Sequence, residues 1–350
     1  MNLPAFQDWL FRSIAVAGAA AVCVLFCPAG WRVRVGKLVQ VVPVVAFAVL
    51  IVLGAGLVHP LPGLEMKAPA IFAQWAATAG GWAAPWLMQM FSLVALLLLV
   101  RHAAGAITVA KLVRQSHPVR ARAWRRLLGD CQRALGLRGS VRLMFAGPGF
   151  VPSATGLFHR TVLLPDEAVH WTPEQRRLVL LHELGHFRRG VLWSHALGQI
   201  ACAVHWFNPF VWMLHRHLAL EREFACDALV VSRGAAPEDY ATLLWKMGFA
   251  AQEPRTAWRN PHLTACASLA MAAPGRGKLE RRVRRILTPV REAGRLLRFA
   301  DSALCGGVAL MLVACASLKP VIVRTFLGIA PWTAQEIGAR LSADPFPEER

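Results

Sequence analysis

The sequence predicts a mainly α membrane protein: four membrane-crossing helices, with a mixed helix-and-strand domain inserted between the third and the fourth. Three observations carry this prediction. The 350-residue chain is 56% hydrophobic and only 17% charged, where ordinary globular domains have roughly a quarter of their residues charged. Four uncharged apolar runs each approach the roughly 20 residues that cross a bilayer. The formal charge of +19 is also unevenly placed: net +3 over residues 1–100, +17 over 101–300 and −1 over 301–350. A chain this apolar collapses, which excludes disorder.

The first run, residues 13–30, lies between Trp9 and Trp31, and the third, 82–100, opens with Trp82 and Trp86. Tryptophan at the ends of such runs suits the membrane interface. A cleaved signal peptide is not expected at the first run, because Asp8 precedes it and the second run, 38–58, follows at once. The fourth run occupies 302–318 and gives a fourth span at 301–318. Residues 1–101 therefore form three spans, 102–300 a domain, and 319–350 a short tail. The loop 31–37 carries Arg32, Arg34 and Lys37, whereas the loop 59–81 carries only Glu65 and Lys67. Positive loops stay inside, so the N- and C-termini should be outside and the +17 domain on the cytoplasmic side.

The basic excess first suggests nucleic acid, but no helix-turn-helix or zinc-finger pattern accompanies it, so direct nucleic-acid binding is not expected. Its two clusters, Lys111–Arg142 and Arg276–Arg298, flank the third and fourth runs. Juxtamembrane clusters of this kind bind anionic lipid headgroups. The eight cysteines include no C-x-x-C pair, and reduced thiols are expected.

The chemistry is concentrated in residues 172–190, TPEQRRLVLLHELGHFRRG. Thr172 can cap a helix, Pro173 suits its first turn, Gln175 completes a capping box, and Gly190 ends it. His182 and His186 then leave one helical face four residues apart, where both can hold one zinc ion. Glu183 lies one residue along, placed to act as general base. A catalytic zinc needs a third protein ligand. In Glu221-Arg222-Glu223-Phe224-Ala225-Cys226-Asp227, Glu223 and Asp227 share a helical face, which suits a ligand followed by a carboxylate that orients a ligand histidine. Glu221 is the rival, on another face of the helix. Tyr240, the only tyrosine, Arg222 and nearby histidines are candidates for stabilising a transition-state oxyanion.

Between these segments, residues 190–215 contain no Asp, Glu, Lys or Arg. Length alone suggests another span, but a crossing would separate His182 and His186 from Glu223. Asn208-Pro209 offers a cap and a helix start, which predicts an apolar antiparallel hairpin over 191–231 with His195, His205, His215 and His217 as polar punctuation. Upstream, Val141–Phe145 and Ala154–Leu164 read as short strands, whose edge could align an extended peptide.

These motifs resemble those of the BlaR/MecR-type membrane metallopeptidases. The resemblance is carried by Gly156-Leu157-Phe158 leading to Val162-Leu163-Leu164-Pro165, by His182-Glu183-Leu184-Gly185-His186, by Trp206-Phe207-Asn208-Pro209-Phe210-Val211-Trp212, and by Arg222-Glu223-Phe224-Ala225-Cys226-Asp227. It covers about residues 87–318. It implies a gluzincin-like zinc peptidase domain in a bacterial inner-membrane protein, with His182, His186 and Glu223 on Zn2+ and Glu183 as base. It also implies proteolysis of the protein itself or of a winged-helix repressor, and it leaves a homo-oligomer open. Two features depart from the family. No S-x-x-K motif of a penicillin-binding sensor occurs and only about 32 residues follow Leu318, so β-lactam sensing is not expected. Val191 also stands where the family often has Asp. An HtpX-like quality-control protease and a non-catalytic signalling or scaffold relative are the alternatives.

Overall fold

The computed structural model describes residues 3–25, 36–54, 65–68, 83–250, 276–288, 295–317 and 319–322. Arg32 and Arg34, most of the loop 59–81, residues 289–294 and the tail beyond 322 lie outside the described residues. The protein is mostly helical with a small sheet. Its elements are α1 (Leu3–Leu25), α2 (Gly36–Gly54), β1 (Glu65–Ala68), α3 (Ala83–Gln115), β2 (His117–Pro118), α4 (Arg122–Leu135), β3 (Arg142–Phe145), β4 (Ser153–Thr155), β5 (Thr161–Leu164), α5 (Pro173–Arg188), α6 (Val191–Val204), α7 (Pro209–Ser232), α8 (Pro237–Ala250), α9 (Arg276–Leu287), α10 (Arg295–Ala316) and β6 (Lys319–Ile322).

Two of the apolar runs differ from expectation. Helix α3 does not stop near residue 100 but continues unbroken to Gln115, because no proline interrupts it before Pro118. Among the described residues its stretch Gln89–Gln115 alone is long and apolar enough to cross a membrane, while Val41–Val52, Val191–Val204 and Ala303–Ala316 are shorter. Helix α1 begins at Leu3 and takes Asp8 and Arg12 into its first half.

Helices α1, α2 and α10 share one apolar core with the hairpin α6–α7. Ala17 and Ala20 of α1, Phe47 and Leu50 of α2 and Leu312 of α10 are buried against Cys202, Val211 and Leu214. Small residues on α1 let the backbones approach closely. The predicted break at Asn208 is the hairpin's tip. Asn208 Oδ1 accepts the Phe210 amide, and its Nδ2 donates to the Ser13 carbonyl at 3.0 Å. His205 Nε2–H donates to the Leu50 carbonyl at 2.7 Å, which leaves Nδ1 to accept the Ser13 hydroxyl at 2.8 Å. The tip is thus fixed to α1 and α2, and Arg12 Nε reaches the Ala316 carbonyl of α10 beside it. Replacing Asn208 by Ala removes the cap of the helix that carries Glu223. A loss of about 0.5–2 kcal/mol is expected, read as a lower thermal midpoint in detergent.

A second core belongs to the inserted domain. On α4, Trp124, Leu128, Cys131 and Leu135 form a buried stripe at helical spacing that packs with Leu180, Leu181 and Leu184 of α5. The sheet runs β2-β3-β5-β4, with β3 and β5 parallel and β2 and β4 antiparallel at its edges. The strand-like segment 154–164 is broken at its glycine into β4 and β5. Gly156 turns the chain at φ +90°, and a Cβ there would lie 2.0 Å from the His159 carbonyl oxygen. That turn makes β4 an edge strand beside α5.

Candidate metal centre

Helix α5 begins as its sequence dictates. Thr172 Oγ1 accepts the Gln175 amide, Gln175 Oε1 accepts the Thr172 amide, and Pro173 fills the first turn. Two turns later His182, Glu183 and His186 are all buried. Helix α7 crosses α5 closely at Gly185, where a Cβ would meet Leu229 at 3.2 Å and Cys226 Sγ at 3.5 Å. A larger residue at 185 would push apart the two helices whose side chains must meet.

The crossing brings one nitrogen each of His182 and His186 and one carboxylate oxygen of Glu223 within 4.8 Å of one another. Glu221 does not join them, since its carboxylate lies 3.7 Å from His217 Nε2. His186 Nε2 and Glu223 Oε1 are buried with no hydrogen-bond partner. Buried polar atoms are almost always satisfied, so an imidazole nitrogen and a carboxylate oxygen left bare beside each other fit a divalent cation bound by N and O donors. Asp227 stands behind His182, its Oδ1 3.2 Å from Nδ1. Donation by Nδ1–H to that carboxylate turns the Nε2 lone pair towards Glu223. Glu183 is held by the backbone N–H of Ala154 on β4, so the edge strand and the candidate base are in direct contact.

Two further residues complete the site: Tyr240, which the sequence offered for another role, and Arg282, which it did not single out. Tyr240 is fully committed: its hydroxyl donates to Asp227 Oδ1 at 2.8 Å and lies 2.9 Å from His182 Nδ1. In this arrangement it supports His182. Arg282 of α9 grips Asp227 with two hydrogen bonds, Nε to Oδ2 at 2.9 Å and Nη2 to Oδ1 at 2.7 Å, and reaches Glu223 Oε2 with Nη1 at 2.8 Å. For this arginine the lipid-facing expectation is wrong, because it is buried among carboxylates whereas Arg281 and Arg284 are exposed. The legible signal was its place between Leu279, Val283 and Ile286, on the apolar stripe of α9.

The electrostatics follow from burial and these pairs. Burial opposes ionising Glu223, but Arg282 and the two histidines outweigh it and lower its pKa to about 2. Asp227 is held below the ordinary carboxylate range against its burial by the same arginine. Burial raises Glu183 to about 7 and lowers His186 to about 4. His182 is the exception: burial opposes its charge, yet hydrogen bonds to Asp227 and Glu223 prevail and raise it to about 10. Without a cation the site therefore holds a proton on His182 at neutral pH, and a metal ion must displace it. Metal uptake by metal-free protein at pH 7–8 is expected to release close to one proton, with affinity rising as pH rises towards 10. Calorimetry in two buffers of different ionisation enthalpy measures this, and uptake without proton release would contradict it.

A cleft of about 950 Å³ opens onto these groups, lined by β4, by α3 residues such as Val109 and Val113, and by the hairpin. A sequence model of the family described as BlaR1 peptidase M56 matches residues 70–271. The chain belongs to this family. A stretch of 80 residues is also 31% identical to the regulatory protein BlaR1 of Bacillus licheniformis, covering 23% of this chain and 13% of that relative. The match to the BlaR1 peptidase M56 family encloses α3 to α8, and with them every group of the centre except Arg282, which lies beyond residue 271. The BlaR/MecR-type reading of the sequence and the family assignment thus coincide.

Proposed function

We propose that the chain is a membrane-anchored zinc endopeptidase that acts in regulation by cutting itself or a cytosolic repressor of the winged-helix type. The observation that carries this reading is the convergence of His182, His186 and Glu223 with two unsatisfied ligand atoms, next to Glu183 and an edge strand. The N/O donor set suits zinc, which when bound supplies Lewis acidity to a peptide carbonyl and to water.

The chain's own residues supply the rest. Strand β4 lines the cleft, where an extended peptide adds to its free side. Glu183, ionised above about pH 7, takes the proton of the attacking water and returns it to the leaving amine nitrogen. Asp227 and Tyr240 hold His182 in one tautomer, and Arg282 fixes the carboxylate of Glu223 through Oε2.

Four spans remain our reading of the membrane arrangement, with the termini outside and the centre on the cytoplasmic side. It is supported by the loop charges and by the parallel pairing of β1 with β6, which joins two segments expected on the same face, Glu65 opposite Lys319. Zinc as the bound metal is tested by elemental analysis of purified protein and of a His182→Ala variant, which should lose it. The substrate is tested by comparing the proteomes of cells carrying the unaltered chain and Glu183→Ala. A repressor that accumulates uncut only in the variant is the expected result, and identical proteomes would sink the regulatory assignment.

A further inference from the structure

Arg222 precedes Glu223 in the chain but takes no part in the metal centre. Its side chain is only 5% exposed. Among the described residues no carboxylate forms an ion pair with it: the neighbouring Glu223 acts on it through charge alone and gives its Oε2 to Arg282 at 2.8 Å. Its one polar contact is Nη1 to His195 Nδ1 at 3.4 Å, and its Nε and Nη2 are buried without a partner. A buried cation is costly unless an anion faces it, and an imidazole carries no negative charge.

The surrounding atoms repeat the pattern. If His195 Nδ1 accepts from Arg222, its Nε2 carries the proton, and Nε2 is also buried without a partner. His215 lies against His195, ring centroids 5.2 Å apart. Three N–H donors, Nε and Nη2 of Arg222 and Nε2 of His195, thus lack an acceptor, and both residues line the cleft that contains Glu183 and Glu223. A second metal site does not fit these donors, and among the described residues only His182, His186 and Glu223 gather ligand atoms within 4.8 Å. The complement of a guanidinium fork is a planar carboxylate with two oxygens.

We infer that Arg222 and His195 form a carboxylate-binding subsite within the peptide cleft, so that the peptidase selects substrates with an acidic side chain or a free C-terminal carboxylate near the scissile bond. This rests on the reading of the cleft as a peptide site. Both sources present the same group to the arginine. The overall positive charge of the chain attracts any acidic peptide, but that attraction is not position-dependent. A subsite favours one register.

The test uses the full chain carrying Glu183→Gln in detergent, so that bound peptide is not cut. Fluorescein-labelled, C-terminally amidated decapeptides carry a single Glu at each successive position, each matched by its Gln counterpart. An all-Gln peptide with a free C-terminus completes the set. The expected result is that one Glu register, or the free-carboxylate peptide, binds about tenfold more tightly than its neutral counterpart. Adding Arg222→Gln should abolish that preference, and Arg222→Lys should restore part of it by returning charge without the fork. Equal binding of Glu and Gln peptides in every register, with no gain from the free carboxylate, overturns the subsite alone. A preference uniform across registers, or one that survives Arg222→Gln, does the same. Failure of every peptide to bind overturns the subsite together with the peptide reading of the cleft.

Discussion

Glu183→Gln is expected to lower peptide hydrolysis by about 10²–10⁴-fold while leaving the bound metal in place. The substitution preserves the shape of a side chain buried against β4 but removes the carboxylate that would take the proton. The candidate ligand atoms belong to His182, His186 and Glu223, so metal content should match that of the unaltered protein. The pH profile provides a second check. Burial raises Glu183 to about 7, and only the ionised form is a base, so the rate should fall as pH drops through that region. A bound cation draws this pKa downwards, which moves the acid limb to lower pH without changing its sign. The residual rate of Glu183→Gln should lack the limb. A variant that retained full activity, or one that lost its metal, would remove Glu183 from the role of base.

Arg282→Met is expected to destabilise the metal-free protein by about 3–5 kcal/mol, the cost of removing one partner from a buried ion pair. Natural domains have only about 5–15 kcal/mol in total, so the metal-free variant should be close to unfolding at ambient temperature. The reason is specific to this centre. Arg282 is 6% exposed and pairs with both Glu223 and Asp227, and removing it leaves these two buried carboxylates with protonated His182 alone to balance them. A divalent cation on Glu223 supplies part of the missing charge, so added Zn2+ should recover more stability in the variant than in the parent. Thermal unfolding in detergent, with and without the metal, measures both effects. Equal midpoints for the two metal-free proteins would show that the guanidinium is not required.

Much of the centre was legible because its code is local. The spacing of His182 and His186, the cap at Thr172 and Gln175, and the recurrence of Asp227 four residues after Glu223 each depend on helical periodicity within one element. The break at Asn208-Pro209 was equally local, and two helices, α6 and α7, lie on either side of it. The end of α3 was misjudged because charge, not helix-breaking chemistry, was used to place it: Arg101 marks no stop for a backbone that continues to Gln115. Arg282 was misjudged because a cluster of arginines gives each the same apparent role until packing separates them.

By itself, then, the sequence determined that α5 and α7 form, that His182 and His186 share one face and Glu223 and Asp227 another, and that Glu183 stands beside the histidines. Only the tertiary structure decided which buried charges meet. Arg282 reaches Asp227 across 55 residues and His182 across 100, Tyr240 closes on His182 across 58, and the hairpin tip binds Ser13 across more than 190. Periodicity and capping are set by neighbours within about a turn of helix. The partner of a desolvated charge is set by which distant elements pack against it, and burial makes that choice the costly one.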